Sequence, residues 1–106
     1  MSTTCGKLIE QIERVKHQLQ VLGPMRPGAI SRQYRNPKEK KRPFYQISYT
    51  HRMKSRSEYL RPENLAAVRR ETANFKRFRK LMDRWVDLAL KLSQLRTRHG
   101  LHSEQS

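Results

Sequence analysis

The chain has 106 residues, of which 35% are apolar and 31% charged, and its formal net charge at pH 7 is +15. This length predicts a single domain, residues 1–106, whose core is thin because a short chain buries a small fraction of its surface. The excess of 24 Lys and Arg over nine Asp and Glu favours a polyanionic partner. Nucleic acid is the expected partner, and an acidic protein or an anionic membrane surface is the alternative.

Cysteine content and hydropathy exclude several classes of protein. Cys5 is the single cysteine, so the chain forms no intrachain disulfide and no cysteine-rich zinc site. Its first residues, MSTTCGKLIE, lack an apolar signal core, and no stretch approaches the roughly 20 apolar residues that span a bilayer. We therefore expect a cytoplasmic protein that does not insert into membranes.

The first predicted element is a helix over residues 5–22. Its apolar residues step by 4, 3, 4 and 3, a heptad-like spacing that places them on one helix face. Gly23 and Pro24 end the helix, because glycine suits the position after a helix and proline cannot continue the hydrogen-bond ladder. The stripe needs a partner helix, in this chain or in a second copy. It consists of Leu8, Ile12, Val15, Leu19 and Leu22.

Residues 29–61 are predicted to form a basic antiparallel meander of two or three strands. Residues 36–43 read NPKEKKRP, in which two prolines bracket four basic side chains, so an exposed loop is expected there and not a central strand. A sheet this small is only marginally stable alone, so we expect it to pack against a helix. Strands are expected at 29–35, 44–50 and 55–61, with a turn at 51–54.

A long helix is predicted over residues 62–98, beginning at Pro62, which suits a first helical turn. No internal Gly or Pro breaks it, although a bend near Arg79 stays open, and residues 99–106 are expected to be a flexible tail. The predicted fold class is therefore α+β. The apolar stripe contains Leu65, Val68, Thr72, Phe75, Phe78, Met82, Trp85, Ala89 and Leu92, widened by Leu81, Leu88 and Leu95. Trp85, Leu88, Leu92 and Leu95 are expected to pair with the N-terminal helix or with a second subunit.

Catalytic and metal-binding patterns are weak in this chain. Asp83 and Asp87 are four residues apart on a helix, but metal sites usually recruit ligands from several elements. His99 and His102 have zinc-like spacing without further ligands, and Cys5 has no base partner in the sequence. The chain contains neither GxxxxGK[ST] nor GxGxxG. A non-enzyme without metal or cofactor is the expectation.

The cations and the aromatic residues both favour nucleic-acid binding. Lys and Arg neutralise phosphates and release counterions. Aromatic side chains can also stack on unpaired bases, although aromatics on one strand face more often pack on a helix. The candidate stacking residues are Tyr34, Tyr45 and Tyr49. The candidate phosphate-binding residues are Arg32, Arg35, Lys38, Lys40, Lys41, Arg42, Arg52, Lys54, Arg56, Arg69, Arg70, Lys76 and Arg77.

Four segments of the chain resemble a family of small basic bacterial proteins of unknown function. The family pattern has an LRPGSLSxxY turn, a strand like GPYYQLSY, a K[ST]RxxY[VL] strand and a PExxxxVRRxxxN[FY] helix. The matching segments here are Leu22–Tyr34, Pro43–Tyr49, Lys54–Leu60 and Pro62–Arg79. Members often lie near mobile genetic elements, which implies a role with DNA or RNA.

One segment departs from that family. Many members carry CGKxxCxC between the first two strands, which resembles a metal-binding knuckle, whereas this chain has RNPKEKKRP there. The basic loop is expected to keep the contact surface without the metal.

The sequence thus predicts a nucleic-acid-binding accessory protein, most simply DNA-binding and associated with a mobile element or defence system. It is expected to be a homodimer or a subunit of a larger nucleoprotein complex. Two alternatives stay open: an RNA-binding subunit of a ribonucleoprotein, and a basic adaptor that dimerises through a coiled coil.

Overall fold

A computed structural model describes residues 3–36 and 38–98 and confirms the α+β class. An N-terminal helix is followed by a three-stranded antiparallel sheet and a long C-terminal helix, and the predicted tail at 99–106 lies outside the described residues. The elements are α1 (Thr3–Gln20), β1 (Ala29–Asn36), β2 (Lys41–His51), β3 (Lys54–Leu60), a 3₁₀ turn (Pro62–Asn64) and α2 (Leu65–Arg98).

Contacts divide the chain into two compact units. The helical unit consists of Met1–Leu22 and Phe78–Ser106, and the sheet unit is Gly23–Arg77. α2 runs without interruption from Leu65 to Arg98 and therefore contributes residues to both units.

In the helical unit, α1 packs along the second part of α2. Leu8, Ile12 and Val15 are buried together with leucines of α2. Thr4 shares a cleft with Arg98, and Lys16 shares another with Trp85, so the two helices run antiparallel. The stripe of α1 thus has its partner helix in the same chain. The remaining members of this core are Leu81, Leu88 and Leu92, with Cys5, Leu19, Leu22, Trp85 and Leu95 partly buried against it.

The predicted stripe of α2 is wrong at two positions. Met82 and Ala89 were expected on the buried face, but both are exposed. At each of these positions the preceding residue, Leu81 or Leu88, is buried instead, and it lies about 100° away around the helix axis. The line through Leu81, Leu88 and Leu92 is buried because leucine removes more apolar surface from water than alanine does.

In the sheet unit, the strand order β1-β2-β3 confirms the predicted meander. The expected loop at 36–43 is wrong in its second half, since Lys41, Arg42 and Pro43 belong to β2, the central strand. The pairing of β3 begins at Tyr45 opposite Leu60, so in the described ladder Lys41, Pro43 and Phe44 pair with β1 alone. That stretch is locally a sheet edge, where proline is tolerated.

The sheet rests on the first turns of α2, as the marginal stability of a small sheet requires. Ile47 at the centre of β2 has no exposed surface, and it clusters with Leu60 of β3 and Val68 of α2. Ile30, Tyr45 and Leu65 are half-buried around this cluster. The centre of one face of the sheet is therefore buried by packing on α2.

Candidate nucleic-acid interface

Positive charge is concentrated in the sheet unit. Residues 23–77 contain 15 Lys and Arg and four Glu, whereas the rest of the chain contains nine Lys and Arg and five Asp and Glu. Four carboxylates cannot neutralise 15 cations. The sheet unit therefore carries most of the unbalanced charge that attracts a polyanion.

Cross-strand register sorts the strand residues onto two faces. Side chains alternate between faces along a strand, and residues paired across strands share a face. Ile30 pairs with Ile47, and Tyr45 pairs with Leu60, so this is the helix-facing face. The opposite side, which we call the open face, carries Ala29, Ser31, Gln33, Arg35, Phe44, Gln46, Ser48, Thr50, Ser55, Ser57 and Tyr59.

The candidate stacking residues all lie on the helix-facing face. Tyr45 packs against the Ile47 cluster. Tyr34 is half-buried, and the guanidinium carbon of Arg32 lies 5.4 Å from the centre of its ring. Tyr49 is half-buried as well, and the guanidinium carbon of Arg26 lies 5.3 Å from its ring centre. These three rings therefore have protein partners already.

Glu58 joins the segment before β1 to the β2–β3 hairpin. The Tyr49 hydroxyl donates to Glu58 Oε2 at 2.6 Å, and Arg26 Nη2 donates to Glu58 Oε1 at 2.7 Å. These two hydrogen bonds hold the pKa of Glu58 below its ordinary value, and the hydrogen bond to Glu58 raises the pKa of Tyr49. The Arg26 backbone N–H also donates to the carbonyl oxygen of Glu71 on α2, at 3.1 Å. Arg26 is thus held in place by both its side chain and its backbone.

The β1–β2 connection presents the first group of predicted cations. Lys38, Lys40 and Arg42 are exposed, and the Lys40 backbone N–H closes the turn onto the carbonyl oxygen of Asn36 at 2.9 Å. Lys40 and Arg42 have φ of 52° and 58°, a backbone region that side chains other than glycine seldom adopt. Lys41 lies between them at the start of β2. The connection is thus a turn followed by a distorted strand end.

The β2–β3 hairpin presents the second group. Its two loop residues are Arg52 and Met53, between the paired residues His51 and Lys54. Arg52 and Lys54 are exposed, and so is Arg56 further along β3. The two basic turns lie at opposite ends of β2, whose 11 residues span about 33 Å at a rise of about 3.3 Å per residue.

The open face contains candidate residues that the sequence prediction missed. Tyr59 is 58% exposed. Phe44 is half-buried, and the guanidinium carbon of Arg35 lies 5.3 Å from its ring centre. Gln46 pairs with Tyr59 and is two residues from Phe44, so the two rings are diagonal neighbours. The strand register would have revealed both residues, because the alternation around the buried residues Ile47 and Leu60 places both rings on the opposite face.

The cations predicted on α2 are exposed in two lines. Arg69 and Lys76 are seven residues apart and share one line, and Arg70 and Arg77 share the next. Neither line coincides with the buried positions Val68 and Thr72. They extend the positive surface of the sheet unit beyond the strands.

The described residues contain no cluster of three His, Cys, Asp or Glu placed to hold a metal ion. His99 and His102, whose spacing resembles that of zinc ligands, lie outside the described residues. Among the helices in the described part of the chain, none is long and apolar enough to cross a membrane.

Comparison with protein-family models, curated proteins and solved structures found no match. The resemblance to the small basic bacterial family therefore stays a prediction.

Proposed function

We propose that this protein is a non-enzymatic nucleic-acid-binding accessory protein, and that the two basic turns at the ends of β2 bind the phosphates of duplex DNA. The observation that carries the proposal is the excess of cations over carboxylates within residues 23–77. Lys and Arg that neutralise phosphates release counterions, which supplies affinity independent of base sequence.

The spacing of the two turns favours a duplex. β2 has 11 residues and separates the turns by about 33 Å, and one turn of B-form DNA is about 34–36 Å long. A duplex that lies along β2 meets one cationic turn and then the next about one helical repeat away, on the same side of the DNA. The resemblance to proteins found near mobile elements agrees with a DNA partner.

Salt-dependent titration tests the proposal. The protein is titrated against a duplex of about 30 base pairs, one of its single strands and a hairpin RNA, at about 50 and 200 mM salt. We expect tighter binding to the duplex and a steep loss of affinity at the higher salt. Replacing Lys38, Lys40, Lys41 and Arg42 by Ala should weaken duplex binding and reduce the slope of log K against log salt, by about 0.9 for each phosphate that the variant no longer neutralises.

A matched variant distinguishes a specific interface from net charge. Lys7, Lys80 and Lys91 are exposed cations of the helical unit. Replacing them by Ala should change duplex affinity much less than replacing Arg52, Lys54 and Arg56 by Ala. Equal losses of affinity in the two triple variants would contradict the assignment of the interface to the turns. Failure to bind any of the three polymers would favour the adaptor alternative.

A second candidate function has its own observation. Phe44, Tyr59 and Arg35 on the open face form an aromatic platform with a cation, surrounded by uncharged Ser, Thr and Gln side chains. Such a surface suits the stacking of single-stranded RNA bases. A preference for single strands that disappears on replacing Phe44 and Tyr59 by Ala would select this function over the duplex proposal.

A further inference from the structure

The tip of the β2–β3 hairpin has an unfavourable backbone for its residues. Arg52 and Met53 form a two-residue loop and have φ of 52° and 66°. Two positive φ values in succession are the requirement of a type I′ hairpin turn, for which Asn-Gly is the favoured pair. Arg and Met fit this backbone poorly, so their presence at the tip does not serve the stability of the turn.

Packing of the Met53 side chain does not offset the cost of this backbone. The residue is 97% exposed, so Met53 gains almost no stabilisation from burial in the folded chain. Arg52 precedes it and Lys54 follows it, and both side chains are exposed. The tip therefore presents one exposed apolar side chain between two cationic residues.

We propose that Met53 inserts between base pairs from the minor groove of duplex DNA, while Arg52 and Lys54 bind the flanking phosphates. This inference rests on the proposed function and adds a means of deforming the bound duplex. Apolar side chains, methionine among them, insert between base steps in minor-groove binders and kink the DNA. The flexible, polarisable thioether of methionine adapts its shape to a partly opened base step.

The chemistry of the tip favours a duplex over the two other polyanionic surfaces. Unpaired bases are bound by aromatic rings, and Met53 has none. A membrane requires more apolar area than one methionine supplies, even beside cations. The opening of a base step, in contrast, needs one apolar side chain of suitable width, held at a protruding point.

The experiment distinguishes the effect of the apolar Met53 side chain from the effect of the unfavourable turn backbone. Asparagine adopts positive φ readily, so Met53→Asn relieves the backbone and removes the apolar group, whereas Met53→Leu keeps an apolar group of similar size. Met82→Gln is the matched control, since Met82 is a partly exposed methionine of the helical unit. Each chain is titrated against a duplex of about 30 base pairs with a central, easily kinked TA step, labelled at both ends for energy transfer, and against its single strand.

We expect Met53→Asn to raise the melting temperature, to abolish the bend and to weaken duplex binding about tenfold, with single-strand affinity unchanged. Met53→Leu and Met82→Gln should bend the duplex as the native chain does. A duplex bound tightly but left straight by the native chain overturns this inference and leaves the proposed function intact, whereas absence of binding to either DNA overturns both. Binding to phosphatidylserine vesicles that disappears in Met53→Asn, without DNA bending, overturns it in favour of a membrane surface.

Discussion

At the scale of single residues, Gly28 decides whether the sheet can close on its core. Its φ of +143° lies where side chains are rare, and a Cβ there would sit 2.7 Å from Ile47 Cγ1 and 3.2 Å from the Ser48 carbonyl oxygen. Ile47 is fully buried, so its side chain cannot shift towards solvent to make room. We therefore expect Gly28→Ala to lower the free energy of unfolding by about 2–4 kcal/mol, measured by urea denaturation.

Gly6 is the control for that substitution. It lies in α1, and a Cβ there meets no atom within 4 Å. Gly6→Ala should leave stability unchanged or raise it by up to about 1 kcal/mol, because alanine loses less backbone entropy in a helix. An unfolding midpoint of Gly28→Ala equal to that of the native chain would contradict the close approach of Gly28 to Ile47.

At the scale of elements, the bonds of Glu58 join the segment before β1 to the hairpin and make the sheet unit sensitive to pH. The pKa of Glu58 is lowered in the folded chain, first by the Tyr49 hydroxyl and then by Arg26. Its contribution to stability is therefore present above the ordinary value of 4.5 and is lost as pH falls through the lowered pKa. The pKa of Tyr49 is raised, so its contribution is present below 10.0 and is lost as pH rises through the raised pKa.

Tyr49→Phe tests this bond. It removes the hydroxyl and keeps the ring beside Arg26. The variant should be less stable than the native chain at neutral pH, and the two should converge as pH falls below the lowered pKa of Glu58, where its carboxyl is protonated in both the folded and unfolded states. Urea midpoints measured across this range check the expectation. A difference that does not change with pH would show that the ring, and not its hydrogen bond, stabilises the hairpin.

Periodicity was enough to predict the elements but not their local geometry. The heptad steps of α1 and the 3/4 spacing of apolar residues along α2 predict the two helices, and the order of strands and turns over 29–61 predicts the meander. The extension of β2 through Pro43 depends on where β3 stops pairing, which is a tertiary property. The left-handed backbone at Arg52 and Met53 has no signal in residue type, because those residues disfavour it. The open-face rings emerge once the register is known.

At the scale of the whole molecule, the net charge of +15 acts on folding and binding with opposite signs. Like charges repel in the compact state, and salt screens that repulsion, so the free protein should unfold at higher temperature in about 300 mM than in about 30 mM NaCl. Binding to duplex DNA should weaken over the same range, because the release of counterions becomes less favourable.

Melting curves with and without duplex measure both effects in one experiment. A ligand that binds the folded chain raises its melting temperature by mass action. The increase caused by DNA should be largest at low salt and should vanish at high salt, while the curve of the free chain moves upward. With the quadruple variant of Lys38, Lys40, Lys41 and Arg42, self-repulsion is lower, so both salt effects should shrink together. The variant could instead lose the DNA-dependent increase in melting temperature and keep the full stabilisation by salt. In that case the charge repulsion would arise elsewhere in the chain, away from the turn that binds phosphate.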